Sequence, residues 1–322
     1  MIKRLQLSQL GKMAENPNFV EKIEREFSEQ VQSVLTDIGK GNCRLLLISG
    51  PTGSGKTTFS HLLTNHLTDI GKKAYALSLD DYYVQEALTY DVEGRPDFES
   101  ESTIEFSLFI EQIMGLLRGE KVALPTFIFA ERRRHFMPEK VLQLAPDELL
   151  IVEGLHGLSN KVLENIDNRL VAKIFICPEM EIYDADKLLF SSDDLRKIRR
   201  LCRDVEHRGS TAISTLDYWP MIKNHEEQVM PIYRQNATYY INSALAYESC
   251  VLAPKAIVEL GKSKREYEQG TLKPSDTIKP GHYYANLTLA LQELERLLSS
   301  CKSMPVIDKK KVPPNSVLQE FI

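Results

Sequence analysis

The sequence predicts an α/β protein, a three-layer α/β/α arrangement around a mainly parallel sheet. Short apolar runs such as Arg44–Ser49 (RLLLIS) alternate with stretches at helical spacing, the pattern of a parallel sheet covered on both faces. A glycine-rich turn, Gly50–Gly55, joins the first of these runs to a helical pattern. Acidic residues follow two other runs, at Asp80 and Glu153. An open sheet of this kind carries its chemistry there, just beyond the carboxyl ends of its strands.

Residues 1–42 read as a helical N-terminal extension, with Phe27, Val31, Val34, Leu35 and Ile38 at helical spacing and Gly39 and Gly41 as the stop. A helix packed on the next domain is the simpler reading; a helix that builds a homo-oligomer is the alternative. The main domain is expected over residues 43–261. Within it a helix from Thr57 to Asp69 turns Phe59, Leu62, Leu63, Leu67 and Ile70 inward and is closed by Gly71 as a left-handed cap. Ala74–Leu79, Leu149–Val152 and Lys173–Ile176 read as strands, Ile104–Leu117 as a helix, Asp194–Arg208 as a strongly basic helix and Thr238–Ile241 as a late strand. Residues 262–322 form a C-terminal extension packing on the main domain. It holds a helix around Leu287–Leu298 and a tail that starts polar but carries Val317, Leu318, Phe321 and Ile322, which are suited to docking.

Composition narrows the function. The chain has 322 residues and a formal net charge of −5, which argues against a nucleic-acid partner held by overall charge. Its five cysteines are scattered without C-x-x-C spacing, so neither a disulfide framework nor a zinc site is expected, and a reducing compartment fits. No apolar run reaches the roughly 18 residues of a membrane helix, and the N-terminus does not read as a signal peptide. A cytoplasmic location is the expectation, with no membrane partner.

Gly50-Pro51-Thr52-Gly53-Ser54-Gly55-Lys56-Thr57 matches G-x-x-x-x-G-K-[ST] in full, the phosphate-binding P-loop. Glycines let backbone N–H groups turn toward phosphates, and the helix that starts there adds its positive dipole end. Lys56 can reach the β- and γ-phosphates, the Thr57 hydroxyl can ligate Mg²⁺, and Thr58 completes the nucleotide-binding set. Glu153, after Leu150-Ile151-Val152, fits the acid near such a metal, and Asp80 joins Thr57 and Glu153 in the expected metal set. Asp80 is also the candidate base for an acceptor hydroxyl; spacing alone leaves its neighbour Asp81 as the rival.

With Ser78–Tyr83, Tyr90–Gly94, Asp97–Ser100, Leu124–Phe129, Val152–Leu158, Arg199–Asp204 and His207–Gly209 in this order after the P-loop, the chain resembles the uridine kinase/phosphoribulokinase family. It is most similar to the bacterial nucleoside-kinase-like branch. Val312–Ser316 and Phe321-Ile322 look like that branch too. The resemblance implies ATP or GTP as phosphate donor, Mg²⁺, a small-molecule acceptor and a basic helical lid. It puts Asp80 on the catalytic aspartate, Tyr83 near the acceptor sugar and Glu99 where an aspartate holds ribose hydroxyls. Phe127 and Phe129 fall on an aromatic pair that frames the acceptor base. Arg199, Arg200, Arg203 and Arg208 fall on the lid and its root, Arg203 among the catalytic groups. The chain departs from pyrimidine-nucleoside kinases in reading Phe98-Glu99-Ser100-Glu101 where they read phenylalanine–aspartate–histidine–proline, and in placing Arg132 where they contact the pyrimidine with a histidine.

The placements agree with the residue chemistry. Phe127 and Phe129 alternate along one extended run and share a face. Arginines on one helix can neutralise a transferring phosphoryl group. Arg134, of the cluster Arg132–Arg134, could meet the acceptor or its product phosphate, with a surface patch as the alternative. The expected activity is therefore transfer of a γ-phosphate to a nucleoside 5′-hydroxyl. Two alternatives stand beside it. One is a kinase of another hydroxyl compound, such as a sugar phosphate or vitamin precursor. The other is a regulatory nucleotide-binding protein: Asp91-Val92-Glu93-Gly94 fits the D-x-x-G of GTPases, although Asn160-Lys161-Val162-Leu163 lacks the aspartate of their base-reading motif.

Overall fold

A computed structural model describes residues 2–85, 89–128, 131–273 and 278–322. Phe129 lies outside them. The chain opens with strand β1 (Lys3–Gln6) and helices α1 (Leu7–Ala14) and α2 (Phe19–Ile38). Strand β2 (Leu45–Ser49) leads through the P-loop into α3 (Lys56–Asp69), then β3 (Ala74–Ser78) and α4 (Phe106–Leu117). A hairpin of β4 (Lys121–Ile128) and β5 (Arg133–Gln143) precedes β6 (Leu149–Glu153), α5 (Asn160–Leu163) and β7 (Val171–Cys177). There follow β8 (Met180–Asp184), β9 (Lys187–Phe190), α6 (Ser192–His207), α7 (Ala212–Asn236), β10 (Tyr239–Asn242), α8 (Glu248–Glu268) and α9 (Leu287–Lys302).

The central sheet has five strands in the order β10-β7-β2-β6-β3, all parallel. Its middle strand shows why both faces are covered. Leu45, Leu46, Leu47 and Ile48 are all fully buried, and successive side chains enter opposite cores. Leu46 and Ile48 meet Phe59 and Leu63 of α3 together with residues of α2, α6, α8 and α9. Leu45 and Leu47 meet Phe109, Ile113 and Leu116 of α4. Strands β2, β3 and β6 end side by side, so the P-loop, Asp80 and Glu153 emerge at one edge.

Several expectations change in detail. The N-terminal extension starts not as a helix but as β1, which pairs in parallel with β8 in a separate three-stranded sheet with β9; four residues are too few to show a strand period. Ile70 is 66% exposed rather than inward, because α3 ends at Asp69, while Gly71 does take the left-handed conformation, with φ of 76°. Helix α8 runs through Gly261, so the 261/262 division falls within a helix. Helix α7 had no clear sequence signal, since Pro220 and Pro231 lie inside it and each gives up one backbone donor. At the tail Val317, Leu318 and Phe321 are buried in a 3₁₀ turn, with Ile322 half-buried. Among the described residues no helix is long and apolar enough to cross a membrane.

The P-loop is braced from below by two buried arginines of α6. Arg199, fully buried, donates to the carbonyls of Gly53 (3.2 Å), Ser54 (3.4 Å) and Ser243 (2.7 Å) and pairs with the equally buried Glu248 at 2.5 Å. Arg196 donates to the Thr52 carbonyl at 2.9 Å and pairs with Glu226, which also accepts from the Thr52 N–H at 3.0 Å. Removing one member of a buried pair strands the other charge in a low-dielectric interior. Glu248→Ala should therefore cost about 3–5 kcal/mol, read as a fall in Tm. Arg199→Met combined with Glu248→Leu should recover only part of that loss, because the carbonyls of Gly53 and Ser243 then lose the Arg199 donor.

A second buried polar group supports the turn after β6. His156 is 2% exposed; its Nδ1 lies 2.8 Å from the Tyr233 hydroxyl, which in turn donates to Glu101 at 2.7 Å. Burial pulls the imidazole pKa from 6.5 down to about 4. A base with a depressed folded pKa contributes stability that is complete above pH 6.5 and is lost as pH falls toward 4. The loss attributable to this group is about 3 kcal/mol. Urea unfolding of His156→Gln should show a shallower decline than the wild type across that window.

Candidate active site

The P-loop, the ends of β3 and β6, helix α6, the start of α7 and the C-terminal turn enclose a cavity of about 250 Å³. Its floor is the P-loop itself. Gly53 and Gly55 have φ of 72° and 84°, which a side chain would strain. A Cβ at Gly50 would stand 2.0 Å from the Ile176 carbonyl oxygen, so this residue must also be glycine for the chain to leave β2 beside β7. Lys56 folds over the loop and donates to the carbonyls of Gly50 (3.0 Å) and Pro51 (3.2 Å). No side chain caps the start of α3, so its N–H groups remain for an anion.

Three acids share the next wall. Glu153 accepts from the hydroxyls of Thr57 (3.3 Å) and Ser78 (2.8 Å). Burial and the neighbouring Asp80 push its pKa up to about 7, against the pull of Lys56. Burial also raises the pKa of Asp80, opposed by Lys56, Arg208 and Arg203. A short 3₁₀ turn, Leu79–Tyr82, makes the two adjacent aspartates diverge. Asp80 lines the cavity. Asp81 accepts from the Phe127 N–H (3.0 Å) and pairs with Lys140 (2.8 Å), locking the β4–β5 hairpin to the sheet edge. The third acid, Glu99, is 8% exposed and lies 3.5 Å from Arg200; burial raises its pKa and Arg200 opposes the rise.

The basic wall comes from α6 and the turn after it. Asp204 holds three arginines: Arg200 Nε at 3.1 Å on one oxygen, and Arg203 Nε at 3.1 Å and Arg208 Nε at 3.6 Å on the other. Arg200 also donates to the Thr52 hydroxyl at 2.8 Å and lies over the Tyr218 ring. Arg208 reaches the same cavity. Arg203 bonds Glu320, which also accepts from the Thr58 hydroxyl at 3.2 Å. Ser210, Ser214, Thr215 and Tyr218 complete the lining.

Most of the sequence-predicted site residues thus converge: Thr52, Gly53, Gly55, Lys56, Thr57, Asp80, Tyr83, Glu99, Glu153, Arg200, Arg203 and Arg208 line one cavity. Gly50, Pro51 and Ser54 serve through their carbonyls and Thr58 through its bond to Glu320. Three others lie away from it. Arg199 is turned into the protein beneath the loop and not toward the lid. Phe127 stands behind Tyr83, with ring centroids 5.5 Å apart. Arg134 sits on β5, its backbone N–H donating to Gln85. The sequence reading missed Asp204, Tyr218, Thr215 and Glu320. Asp204 was visible within Arg199–Asp204; the others lie on an unforeseen helix and in the tail.

The acids suit a hard divalent ion. Among the described residues no group of three or more His, Cys, Asp and Glu is built to cage a metal alone. Mg²⁺ is usually held by one or two carboxylates together with water and substrate phosphates. Two carboxylates and a hydroxyl beside a P-loop match that, and burial together with the neighbouring Asp80 raises the pKa of Glu153, a rise that a cation would oppose. Thr57, Glu153 and Asp80 would hold it.

Known proteins resemble this chain in sequence. The family model described as "Phosphoribulokinase / Uridine kinase family" matches residues 45–243. Uridine kinases of Streptococcus pneumoniae strains Hungary19A-6 and CGSP14 are each 30% identical over 206 residues, covering 64% of this chain and 82% of theirs. A chain described as a possible uridine kinase from Bacillus stearothermophilus superposes with a TM-score of 0.44 at 18% identity, over 67% of this chain and 99% of that one. The chain belongs to the phosphoribulokinase/uridine kinase family and is a P-loop phosphotransferase acting on a small hydroxyl compound.

Proposed function

We propose that the chain transfers the γ-phosphoryl group of ATP or GTP to the 5′-hydroxyl of a nucleoside, with Asp80 as general base. The observation that carries the reading is the divergence of the two aspartates. Asp80 lines the same cavity as Lys56, while both oxygens of Asp81 are engaged by the hairpin. In the reaction the acceptor O–H gives its proton to the Asp80 carboxylate as its oxygen bonds the γ-phosphorus, and the bond to the β,γ-bridging oxygen breaks to release the nucleoside diphosphate. Lys56, Arg200 and Arg203 offset the charge that spreads over the phosphoryl oxygens. Mg²⁺ bound by Thr57, Glu153 and Asp80 would neutralise phosphate charge. Glu99 and Tyr83 would hold the acceptor sugar. On this reading residues 43–261 form the kinase unit, with 1–42 and 262–322 as extensions packed on it.

A second reading, a kinase of another polyhydroxyl compound, is favoured by one feature. The cavity lining is rich in hydroxyls, from Ser210, Ser214, Thr215 and Tyr218, while Phe127 stands behind Tyr83. A panel of nucleosides, sugars, sugar phosphates and vitamin precursors with radiolabelled ATP separates the two; labelling of sugars but of no nucleoside would overturn the first.

Asp80→Asn should leave nucleotide affinity by calorimetry within a few-fold and lower kcat by about 10²–10⁴. Full transfer by Asp80→Asn would remove it as the base. Glu99→Ala should raise the KM of the acceptor while the donor KM stays put.

A further inference from the structure

The C-terminal turn carries a carboxylate into the catalytic cavity, and neither the family match, which spans residues 45–243, nor the mechanism above uses it. The turn Val317–Phe321 is firmly seated. Val317 packs against Gly55, where an added Cβ would lie 2.6 Å from its methyl group. The Phe321 ring sits 5.2 Å from the Arg199 guanidinium that braces the loop. Between these two anchors Glu320 has little freedom. One of its oxygens accepts from Arg203 Nη1 at 3.0 Å and the other from the Thr58 hydroxyl at 3.2 Å.

We propose that Glu320 is a positioning residue for phosphoryl transfer: its carboxylate bridges Thr58, on the helix that follows the P-loop, to Arg203, on the arginine-bearing helix, and so holds Arg203 ready for the transferring phosphoryl group. A guanidinium is a rigid planar fork with five donors. Asp204 takes the Nε end and Glu320 takes Nη1, so two carboxylates on different elements fix both the position and the plane of the fork. Donors beyond those two bonds are then held in one orientation before substrate arrives, and nothing has to reorganise as charge develops. Without Glu320, Arg203 would pivot about its single contact with Asp204. The same bridge ties the floor of the cavity to its basic wall, which couples the docked tail to the chemistry.

The inference rests on the kinase reading, and the test separates the two. Full-length wild type, Glu320→Ala, Glu320→Gln, Arg203→Ala and Glu320→Ala/Arg203→Ala are compared by thermal melting, donor affinity and steady-state kinetics on a transferring acceptor. Glu320→Ala should lower kcat by about 10- to 100-fold with donor affinity within about threefold. Glu320→Gln, which keeps an acceptor oxygen for Arg203, should be less impaired. In the Arg203→Ala background the same Glu320→Ala change should alter kcat less than about twofold, because the group it positions is gone. Unchanged kcat in Glu320→Ala would overturn the inference alone. So would an equal loss in the Arg203→Ala background, or tighter donor binding with unchanged turnover, which would make the carboxylate a stand-in for phosphate. If Glu320→Ala does not fold, Glu320→Met, which keeps the side-chain length and removes both acceptor oxygens, carries the same cycle. A wild type that transfers phosphate to no acceptor would overturn the kinase reading and this inference with it.

Discussion

A loop that offers its N–H groups to an anion must dispose of its carbonyls, and this constraint shapes the centre of the molecule. Each peptide group carries both poles, and a buried carbonyl without a donor is costly. Here each carbonyl from Gly50 to Ser54 has a donor. Lys56 serves Gly50 and Pro51, Arg196 serves Thr52, and Arg199 serves Gly53 and Ser54. The two arginines are themselves deeply buried, which requires a carboxylate for each: Glu226 from α7 and Glu248 from α8. Helices α6, α7 and α8, all remote from the loop in sequence, are thereby committed to the shape of one six-residue turn.

The cavity above the loop is dense in both signs of charge. Asp80, Glu99 and Glu153 all have raised pKa values, with burial as the leading cause. Lys56, Arg200, Arg203 and Arg208 face them across a space that a polyphosphate and a cation would fill. Such a site is under electrostatic tension by itself, and a ligand that brings a divalent ion to the acids and phosphates to the arginines relieves both. Asp204 is different. Burial would raise its pKa, but Arg200, Arg203 and Arg208 outweigh that and hold the carboxyl below its usual range, so it works as a permanently ionised hub.

The chain outside the family match is woven into this centre. Helix α2 contributes Phe27 and Val31 to the core beneath α3, α9 adds Leu294 and Leu297, and the terminal turn closes one side of the cavity. Lys197 and Arg296 meet around Glu293 and Asp194, binding α9 to the start of α6.

The alternation of β2, β3, β6 and β7 with α3 and α4, the phosphate loop and the two strand-end acids were legible in the amino-acid sequence because each is a local property: a period of two or of 3.6, a run of glycines, a residue type after an apolar run. Leu45–Ile48 had to be a buried strand, and Lys56 had to follow its loop. What locality could not decide was direction. Asp80 and Asp81 are adjacent and chemically identical, and only the Lys140 hairpin draws one away. Arg199 and Arg200 are likewise neighbours, yet about 100° of helical turn sends one under the loop and the other into the cavity. Glu320 stands far along the chain from Thr58 and Arg203, and no spacing encodes a contact made only when the tail folds back. Side-chain type is written residue by residue; the face on which it acts is set by packing between distant segments.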